Sequence, residues 1–286
     1  MAKLGDYLSM IKFSHSIFAL PFALIAFLVA SQGTVDGMDL LWLGMCMVAA
    51  RSAAMSYNRL VDRQLDADNP RTAGREIPAG VVSPRGAGVF TVVACAVFVT
   101  GCWLLNPVCL YMSGPVLLVL LGYSHAKRFT SLSHLWLGVC LGLAPVAAWV
   151  AVTGAFDASL LGPGVLGLGV AFWVMGFDIL YACQDEEFDR LRGLHSIPAA
   201  LGRKAALRIS RAAHLLAVGL FFGFGVESGL GAFYHVGVGV VAVVLLFEHR
   251  VISPADMSRV NLAFFTMNGV VSMLMLLCTV FDLYLF

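Results

Sequence analysis

The chain has 286 residues, of which 60% are hydrophobic and only 12% carry a charge, and its mean hydropathy is +0.88. Water-soluble domains contain about 25% charged and about 45–50% apolar residues, so this composition excludes an ordinary soluble protein and predicts a membrane protein. The net charge of +1, without a run of Lys and Arg, gives no indication of nucleic-acid binding. The seven cysteines include no C-x-x-C pair, which does not fit a disulfide framework or a zinc site.

Apolar stretches of about the length of a membrane helix follow one another along the chain. The nine predicted spans are residues 13–31, 39–57, 87–105, 107–124, 133–152, 160–178, 205–226, 229–247 and 262–284. Continuous apolar runs of this length favour helices over a barrel, whose strands are about half as long. We therefore predict an all-α membrane protein with nine transmembrane helices around a central cavity. The glycine-rich run 162–169 lies inside a span and predicts close packing between helices.

The positive charges predict how the chain is oriented. With the N-terminus inside, all 18 Lys and Arg residues fall on the inner side or at its boundary, and the outer connections contain none. Positive residues are enriched on the cytoplasmic side of membrane proteins. We therefore predict a multi-pass protein of the cell inner membrane with a cytoplasmic N-terminus and a periplasmic C-terminus.

Two segments at the inner boundary share a four-residue spacing of polar side chains. The first contains Asn58, Asp62 and Asp66, and the second contains Asp178, Tyr181, Asp185 and Asp189. Steps of four predict that each row lies on one face of a helix. The repeated spacing predicts an internal duplication, with motifs at 58–80 and 178–198, within a single domain covering residues 1–286. The two rows are expected to face one another across the cavity.

The acidic rows indicate a cation. Carboxylates one helical turn apart repel one another, and the repulsion grows near a membrane because screening is weaker there. Oxygen ligands without Cys or His favour Mg²⁺, which often binds through one or two carboxylates together with substrate phosphates. The neighbouring arginines would suit a phosphate group. The alternative is that these segments are solvated helix ends where charges collect.

The ordered set of motifs resembles the UbiA-type intramembrane aromatic prenyltransferases. That family's N-x-x-x-D-x-x-x-D motif corresponds to residues 58–66 and its R-T-x-x-R-x-(I/L)-P-x-G run to residues 71–80. Its D-x-x-Y-A-x-x-D-x-x-x-D motif corresponds to residues 178–189, and its Y-x-x-x-K-R element to residues 123–128. The resemblance implies a nine-helix fold and an alkyl-transferring enzyme. Such an enzyme moves a polyprenyl group from polyprenyl diphosphate to an aromatic acid within the bilayer.

The resemblance also implies roles for individual residues. The catalytic Mg²⁺ ligands would be Asp62, Asp66, Asp185 and Asp189. The diphosphate contacts would be Arg71, Arg75, Lys127 and Arg128. The acceptor site would be lined by Arg51, Asn58, Asp178, Tyr123 and Tyr181. One departure is His195, where the family commonly has Lys.

Arg51 has an additional argument because it lies inside the second span, two turns before Asn58 on the same face. An arginine at mid-bilayer carries an insertion cost of about 2.5–3.5 kcal/mol, which predicts a functional partner. The resemblance implies that this partner is the carboxylate of the acceptor. Pairing with an acidic residue, or extension of the side chain towards the inner surface, is the alternative.

Several functions are compatible with the pattern to different degrees. The leading hypothesis is transfer of a polyprenyl group to a 4-hydroxybenzoate-like acceptor in respiratory quinone (ubiquinone) biosynthesis, at a site facing the cytoplasm. Prenylation of a hydroxynaphthoate in menaquinone biosynthesis is the alternative acceptor. A CDP-alcohol phosphotransferase would require a D-G-x-x-A-R sequence that the chain lacks. A secondary transporter would place its binding residues near the midplane, whereas these carboxylates concentrate at the inner boundary.

Overall fold

The structure is a computed structural model that describes residues 3–12, 18–254, 256–257, 259–260 and 263–285. This part of the chain contains helices and their connections and no β-strand. Its α-helices are α1 (Leu4–Met10), α2 (Leu20–Ala30), α3 (Gly37–Val61), α4 (Arg63–Asp68), α5 (Pro84–Leu105), α6 (Pro107–Ala126), α7 (Ser133–Thr153), α8 (Leu161–Ala182), α9 (Glu186–Leu191), α10 (Ile197–Glu227), α11 (Ala232–Val251) and α12 (Asn268–Leu285). A 3₁₀ turn at Ala158–Leu160 precedes α8, and a π-helical turn at Ala263–Met267 precedes α12.

The predicted membrane helices are largely confirmed. Within the described residues, 8 helices are long and apolar enough to cross a membrane, and they coincide with the second to ninth predicted spans. The first predicted span contains α2, an apolar helix of 11 residues, while positions 13–17 of that span lie outside the described residues. The all-helical class is therefore confirmed. The count of nine spans and the orientation of the termini stay predictions.

The chain forms two compact units. Unit 1 comprises the described residues of 1–16 and 36–125, and unit 2 comprises those of 17–35 and 126–286. In unit 1, α3 packs along α5 through small residues. The Ser56 hydroxyl donates a hydrogen bond to the Ala87 carbonyl oxygen (3.0 Å), and a Cβ added at Gly101 would lie only 2.5 Å from Cys46 Sγ. Small side chains therefore allow the close approach that membrane helices use in place of hydrophobic association.

In unit 2, α8 packs against α7 through glycines. A Cβ added at Gly138 would overlap the Ala171 carbonyl oxygen, and one added at Gly142 would overlap that of Gly167. The backbones of the two helices are thus in direct contact. The close packing predicted for the run 162–169 is confirmed at Gly167, whereas Gly164 has no described atom within 4 Å of an added Cβ.

The opposite side of α8 is held by α10 through polar contacts. Ser210 donates to the Gly176 carbonyl oxygen (2.7 Å), and the His214 ring lies so close to Gly176 that a Cβ there would overlap it. His214 Nε2 donates to the Trp173 carbonyl oxygen (3.2 Å), since a carbonyl only accepts. These contacts fix α8 less than two turns before its C-terminal end, where the second motif begins.

The sequence after the second motif forms a bent helix. Gly202 interrupts α10 with φ 76° and ψ 162°, a conformation that favours glycine because it has no Cβ. The helix after this bend matches the predicted span that begins at residue 205. The part of α10 before the bend, residues 197–201, directly follows the second motif.

The glycine contact between α7 and α8 generates a stability prediction. Gly142→Ala should force the helices apart and cost about 1–3 kcal/mol, as overpacking of a well-packed core does. Gly164→Ala is the matched control, because a Cβ at this position of α8 would have no described atom within 4 Å. Thermal unfolding in detergent should show a lower midpoint for Gly142→Ala only. Equal midpoints for the two variants would contradict the packing argument.

Candidate active site

The first motif lies where α3 ends. Asp62 has φ −91° and ψ 8°, so it closes α3 and starts the six-residue helix α4. The Asn58 amide donates from Nδ2 to Asp62 Oδ2 (3.0 Å), and the Asp66 N–H donates to the Asp62 carbonyl oxygen (2.8 Å). These bonds keep Asn58, Asp62 and Asp66 at successive intervals of one helical turn.

Asp66 is the most buried carboxylate of this motif, with 6% exposure. Its Oδ1 accepts a hydrogen bond from Arg75 Nη1 (2.6 Å), and its backbone carbonyl accepts one from the buried Thr72 hydroxyl (3.0 Å). Its Oδ2 is buried and accepts no hydrogen bond from any residue that the structure describes. A buried carboxylate oxygen without a hydrogen bond is costly, so this oxygen suits a bound cation.

The second motif has the same construction. The helix α8 ends at Ala182, and Asp185, with φ −100° and ψ 6°, starts the six-residue helix α9. The Asp189 N–H donates to the Asp185 carbonyl oxygen (2.8 Å). Each motif therefore consists of a membrane helix, an Asp at a backbone break, and a second Asp in the first turn of a short helix.

Asp189 is the counterpart of Asp66 in its burial and in its surroundings. It is 2% exposed, and Lys127 Nζ lies 3.6 Å from its Oδ2. That oxygen accepts no hydrogen bond within the described part of the chain. Both motifs thus present a buried carboxylate with a cation nearby and an oxygen that can bind a ligand.

The break at Asp62 corrects one prediction. The spacing predicted that Asn58, Asp62 and Asp66 lie on one continuous helical face, but α3 stops at Val61. The ψ of Asp62 is about 50° from the helical value, so α4 is not a continuation of α3. The correct prediction is the one-turn separation of the carboxylates, which the i to i+4 backbone hydrogen bond preserves.

The remaining predicted phosphate-binding cations are exposed. Arg71 follows α4, and its N–H donates to Asn69 Oδ1 (3.0 Å) in the turn that leads to Arg75. Arg128 lies next to Lys127, after the end of α6. Both side chains are exposed. Arg71 lies on the same segment as Arg75, and Arg128 on the same segment as Lys127.

Two predicted acceptor residues of unit 1 lie inside membrane helices. Arg51 is half-buried on α3, and its Nη2 donates to the Lys12 carbonyl oxygen (3.0 Å). This bond ties the N-terminal segment to α3 and uses only part of the donor capacity of the guanidinium. Tyr123 is half-buried on α6, three residues before the end of that helix. Its neighbour His125 accepts or donates through Nε2 to the Tyr57 hydroxyl (3.0 Å), which links α6 to α3.

The predicted acceptor residues of unit 2 lie on α8. Tyr181 packs its ring against Phe264, with 4.4 Å between centroids. Asp178 is half-buried and its Oδ2 lies 2.7 Å from His134 Nδ1. The contact with His134 was not predicted from the sequence, because one histidine at the start of an apolar helix has no periodic signal.

Arg59 is a second residue that the sequence analysis did not identify. It is 6% exposed in the last turn of α3, and its Nη1 donates to Asn58 Oδ1 (3.4 Å). Its guanidinium interacts electrostatically with the carboxylates of Asp66, Glu76 and Asp62. Its place inside the motif was visible in the sequence, but its burial depends on packing within unit 1.

Cys183 is buried beside the second motif. Burial raises the pKa of the Cys183 thiol to about 11, so it stays protonated near neutral pH. Glu186, in the first turn of α9, pairs with Arg190 (2.5 Å) and with Arg203 Nε (2.8 Å). The pair with Arg203 joins α9 to α10, whereas the pair with Arg190 lies within α9.

Each motif fits Mg²⁺ by the chemistry of its donors. Among the described residues, no group of three or more His, Cys, Asp and Glu could hold a metal ion by itself. Each motif instead offers two carboxylates, one with a buried oxygen that accepts no hydrogen bond from a described residue. Mg²⁺ binds through one or two carboxylates when water and substrate phosphates supply the remaining oxygens.

The model of the UbiA prenyltransferase family matches residues 19–270 of this chain. The chain belongs to that family. It is therefore a prenyltransferase. A solved UbiA homologue from Aeropyrum pernix K1, in its apo form, is 35% identical and covers 94% of this chain and 98% of its own, with a TM-score of 0.85.

More distant UbiA structures share the fold. A homologue from Archaeoglobus fulgidus bound to DMAPP and Mg²⁺ has a TM-score of 0.68 at 17% identity and covers 98% of this chain and 100% of its own. Among curated proteins, the 4-hydroxybenzoate octaprenyltransferase of Methylobacillus flagellatus is 29% identical and covers 84% of this chain and 80% of its own length. The UbiA fold expected from the two motifs is thus confirmed.

Proposed function

We propose that this UbiA prenyltransferase transfers a polyprenyl group from polyprenyl diphosphate to a 4-hydroxybenzoate-like aromatic acid, with Mg²⁺, in respiratory quinone biosynthesis. The observation that carries the proposal is the matched pair of buried carboxylate oxygens, Asp66 Oδ2 and Asp189 Oδ2. Neither accepts a hydrogen bond from a described residue, and each belongs to an Asp with a cation beside it. Such oxygens suit a divalent ion that also binds a diphosphate.

The donor would be bound by two sets of side chains. The Mg²⁺ ligands in this proposal are Asp62, Asp66, Asp185 and Asp189. The diphosphate contacts are Arg71, Arg75, Lys127 and Arg128. Arg75 and Lys127 have the more definite support, because each already lies beside a proposed ligand. When bound, Mg²⁺ would neutralise the charge that develops on the departing diphosphate.

The cations of the chain would assist the same step. As the carbon–oxygen bond of the donor breaks towards an allylic cation, the guanidinium and ammonium groups stabilise the negative charge on the leaving group. An electron-rich ring carbon of the acceptor then attacks the allylic carbon, and the ring loses a proton. The apolar helices keep water from the cation, which water would otherwise quench.

The acceptor would be bound by Arg51, Asn58, Tyr123, Asp178 and Tyr181. Arg51 is the proposed partner of the acceptor carboxylate, because its guanidinium lies on α3 inside the membrane span and is a fixed positive charge. Curated relatives named 4-hydroxybenzoate octaprenyltransferase support an aromatic acid of this size. A hydroxynaphthoate is the alternative acceptor, in menaquinone biosynthesis.

We also propose where and how the chain works. The distribution of its 18 Lys and Arg residues supports a place in the cell inner membrane, with a cytoplasmic N-terminus, a periplasmic C-terminus and an active site open to the cytoplasm. The similar backbone conformations of Asp62 and Asp185 support an internal duplication within one functional domain.

The decisive experiment is a product assay. Purified protein is incubated with Mg²⁺, geranyl diphosphate and a panel of hydroxybenzoates and dihydroxynaphthoates, and prenylated products are identified by mass. Product from a hydroxybenzoate confirms the proposal, and product from dihydroxynaphthoates alone assigns the alternative acceptor. Absence of product and of diphosphate release, together with solute uptake into vesicles, would indicate a transporter instead.

The buried carboxylates generate a prediction for metal use. Asp66→Asn and Asp189→Asn should each reduce prenyl transfer by about a hundredfold or more, because a ligand charge is lost where the leaving diphosphate is neutralised. EDTA should abolish turnover of the wild type, and added Mg²⁺ should restore it. The measurement is the rate of product formation as a function of Mg²⁺ concentration.

Two exposed acids provide matched controls. Asp68 lies two residues after Asp66 on the same short helix, and Glu187 lies two residues before Asp189 on the other. Asp68→Asn and Glu187→Gln remove one negative charge each and should keep the wild-type rate. If all four variants lost activity equally, general electrostatics rather than ligand binding would explain the effect.

Arg51 generates a prediction for the acceptor. Arg51→Leu should raise the acceptor KM by about tenfold or more, the equivalent of a lost charge-assisted hydrogen bond, and leave the donor KM within about twofold. Arg63→Leu, an exposed arginine whose Nη1 donates to the Leu60 carbonyl oxygen (2.9 Å), is the control and should change neither constant. An unchanged acceptor KM in Arg51→Leu would remove this residue from the binding site.

A further inference from the structure

His134, at the start of α7, connects two parts of the second motif. Its ring is fully buried, Nδ1 lies 2.7 Å from Asp178 Oδ2, and Nε2 lies 3.3 Å from the backbone nitrogen of Ile197. Asp178 opens the second motif, and Ile197 is the first residue of α10, which follows it. One imidazole therefore joins the carboxylate to the segment that returns from the motif.

These partners determine the protonation state of the ring. The Ile197 N–H only donates, so Nε2 must accept and carries no proton. Nδ1 then carries the single proton and donates it to Asp178. In a doubly protonated imidazolium, both Nε2–H and the Ile197 N–H would be donors, and no hydrogen bond could form between them. The geometry therefore selects the neutral tautomer.

The returning segment also holds the cation of the second motif. The His195 N–H donates to the Lys127 carbonyl oxygen (2.7 Å), and Lys127 Nζ lies 3.6 Å from Asp189 Oδ2. The Ser196 hydroxyl accepts from the Ala199 N–H (3.3 Å) and caps α10. Displacement of Ile197 would therefore move the backbone that positions Lys127.

We propose that His134 is a positioning residue for prenyl transfer, which acts as a neutral hydrogen-bonding bridge between the Asp178 carboxylate and the backbone of Ile197. The proposal rests on the assignment of Asp178 to the acceptor site under the proposed function. The bridging ring donates to the Asp178 carboxylate and holds it in one orientation. A merely structural histidine would contribute to stability and leave the acceptor kinetics unchanged.

The test compares two substitutions at position 134. Glutamine supplies one N–H donor and one carbonyl acceptor without a titrating ring, whereas leucine supplies neither. His134→Leu should lower kcat/KM for the acceptor by about ten- to a hundredfold, the equivalent of one hydrogen bond to a charged group. Its donor KM should change less than its acceptor kcat/KM, because the His195–Lys127 backbone bond and the Ser196 cap still hold the returning segment. His134→Gln should recover most of the activity, since the glutamine amide supplies the same donor and acceptor.

A double-mutant cycle shows whether His134 acts through Asp178. If it does, His134→Leu combined with Asp178→Asn should be no slower than Asp178→Asn alone. Multiplied losses, an unchanged acceptor kcat/KM in His134→Leu, or failure of glutamine to rescue would each overturn the proposal. Should His134→Leu not fold, His134→Met takes its place as an unbranched apolar variant.

Failure of the positioning role of His134 can be distinguished from failure of the proposed function. A wild type that prenylates no acceptor in the panel contradicts the proposed function itself. A wild type that prenylates an acceptor, with variants at position 134 that match it, contradicts only the positioning role. Thermal midpoints measured for every variant separate loss of fold from loss of positioning.

Discussion

A carboxylate buried at the end of an apolar helix is stable only when positive charge compensates it. Both motifs of this chain meet that requirement in the same incomplete way. Arg75 bonds one oxygen of Asp66, and Lys127 lies near Asp189, while each carboxylate keeps an oxygen without a hydrogen bond from the described residues. The nearby cations offset part of the negative charge, which lowers the cost of burying the two acids.

The backbone conformation at the C-terminal ends of α3 and α8 makes this arrangement possible. A continuous helix would carry the second carboxylate further along the axis, away from the membrane helix that precedes it. At Asp62 and at Asp185 the chain instead starts a new helix of six residues. The second acid of each motif therefore stays buried beside the helix end. Contacts deeper in unit 2, such as those of His214 with α8, fix the helix from which the second motif extends.

Much of the architecture could be predicted because membrane helices obey simple limits of length and polarity. The second to ninth spans and the close packing of the run 162–169 followed from apolar length and glycine content. The break at Asp62 could not be predicted, because a four-residue spacing is equally compatible with a continuous helix. The partners of buried side chains were also inaccessible: Arg59 and His134 have no periodic signal, and their roles depend on residues brought near by tertiary packing.

The contact between His195 and Lys127 has a consequence for how this protein can diverge from its relatives. The bond uses the amide of residue 195, while its imidazole is exposed. Any residue other than proline provides the same donor, so replacement of this side chain during evolution would not disconnect the two segments. The side chain at this position can change the local surface charge, while the main-chain bond keeps the two segments joined.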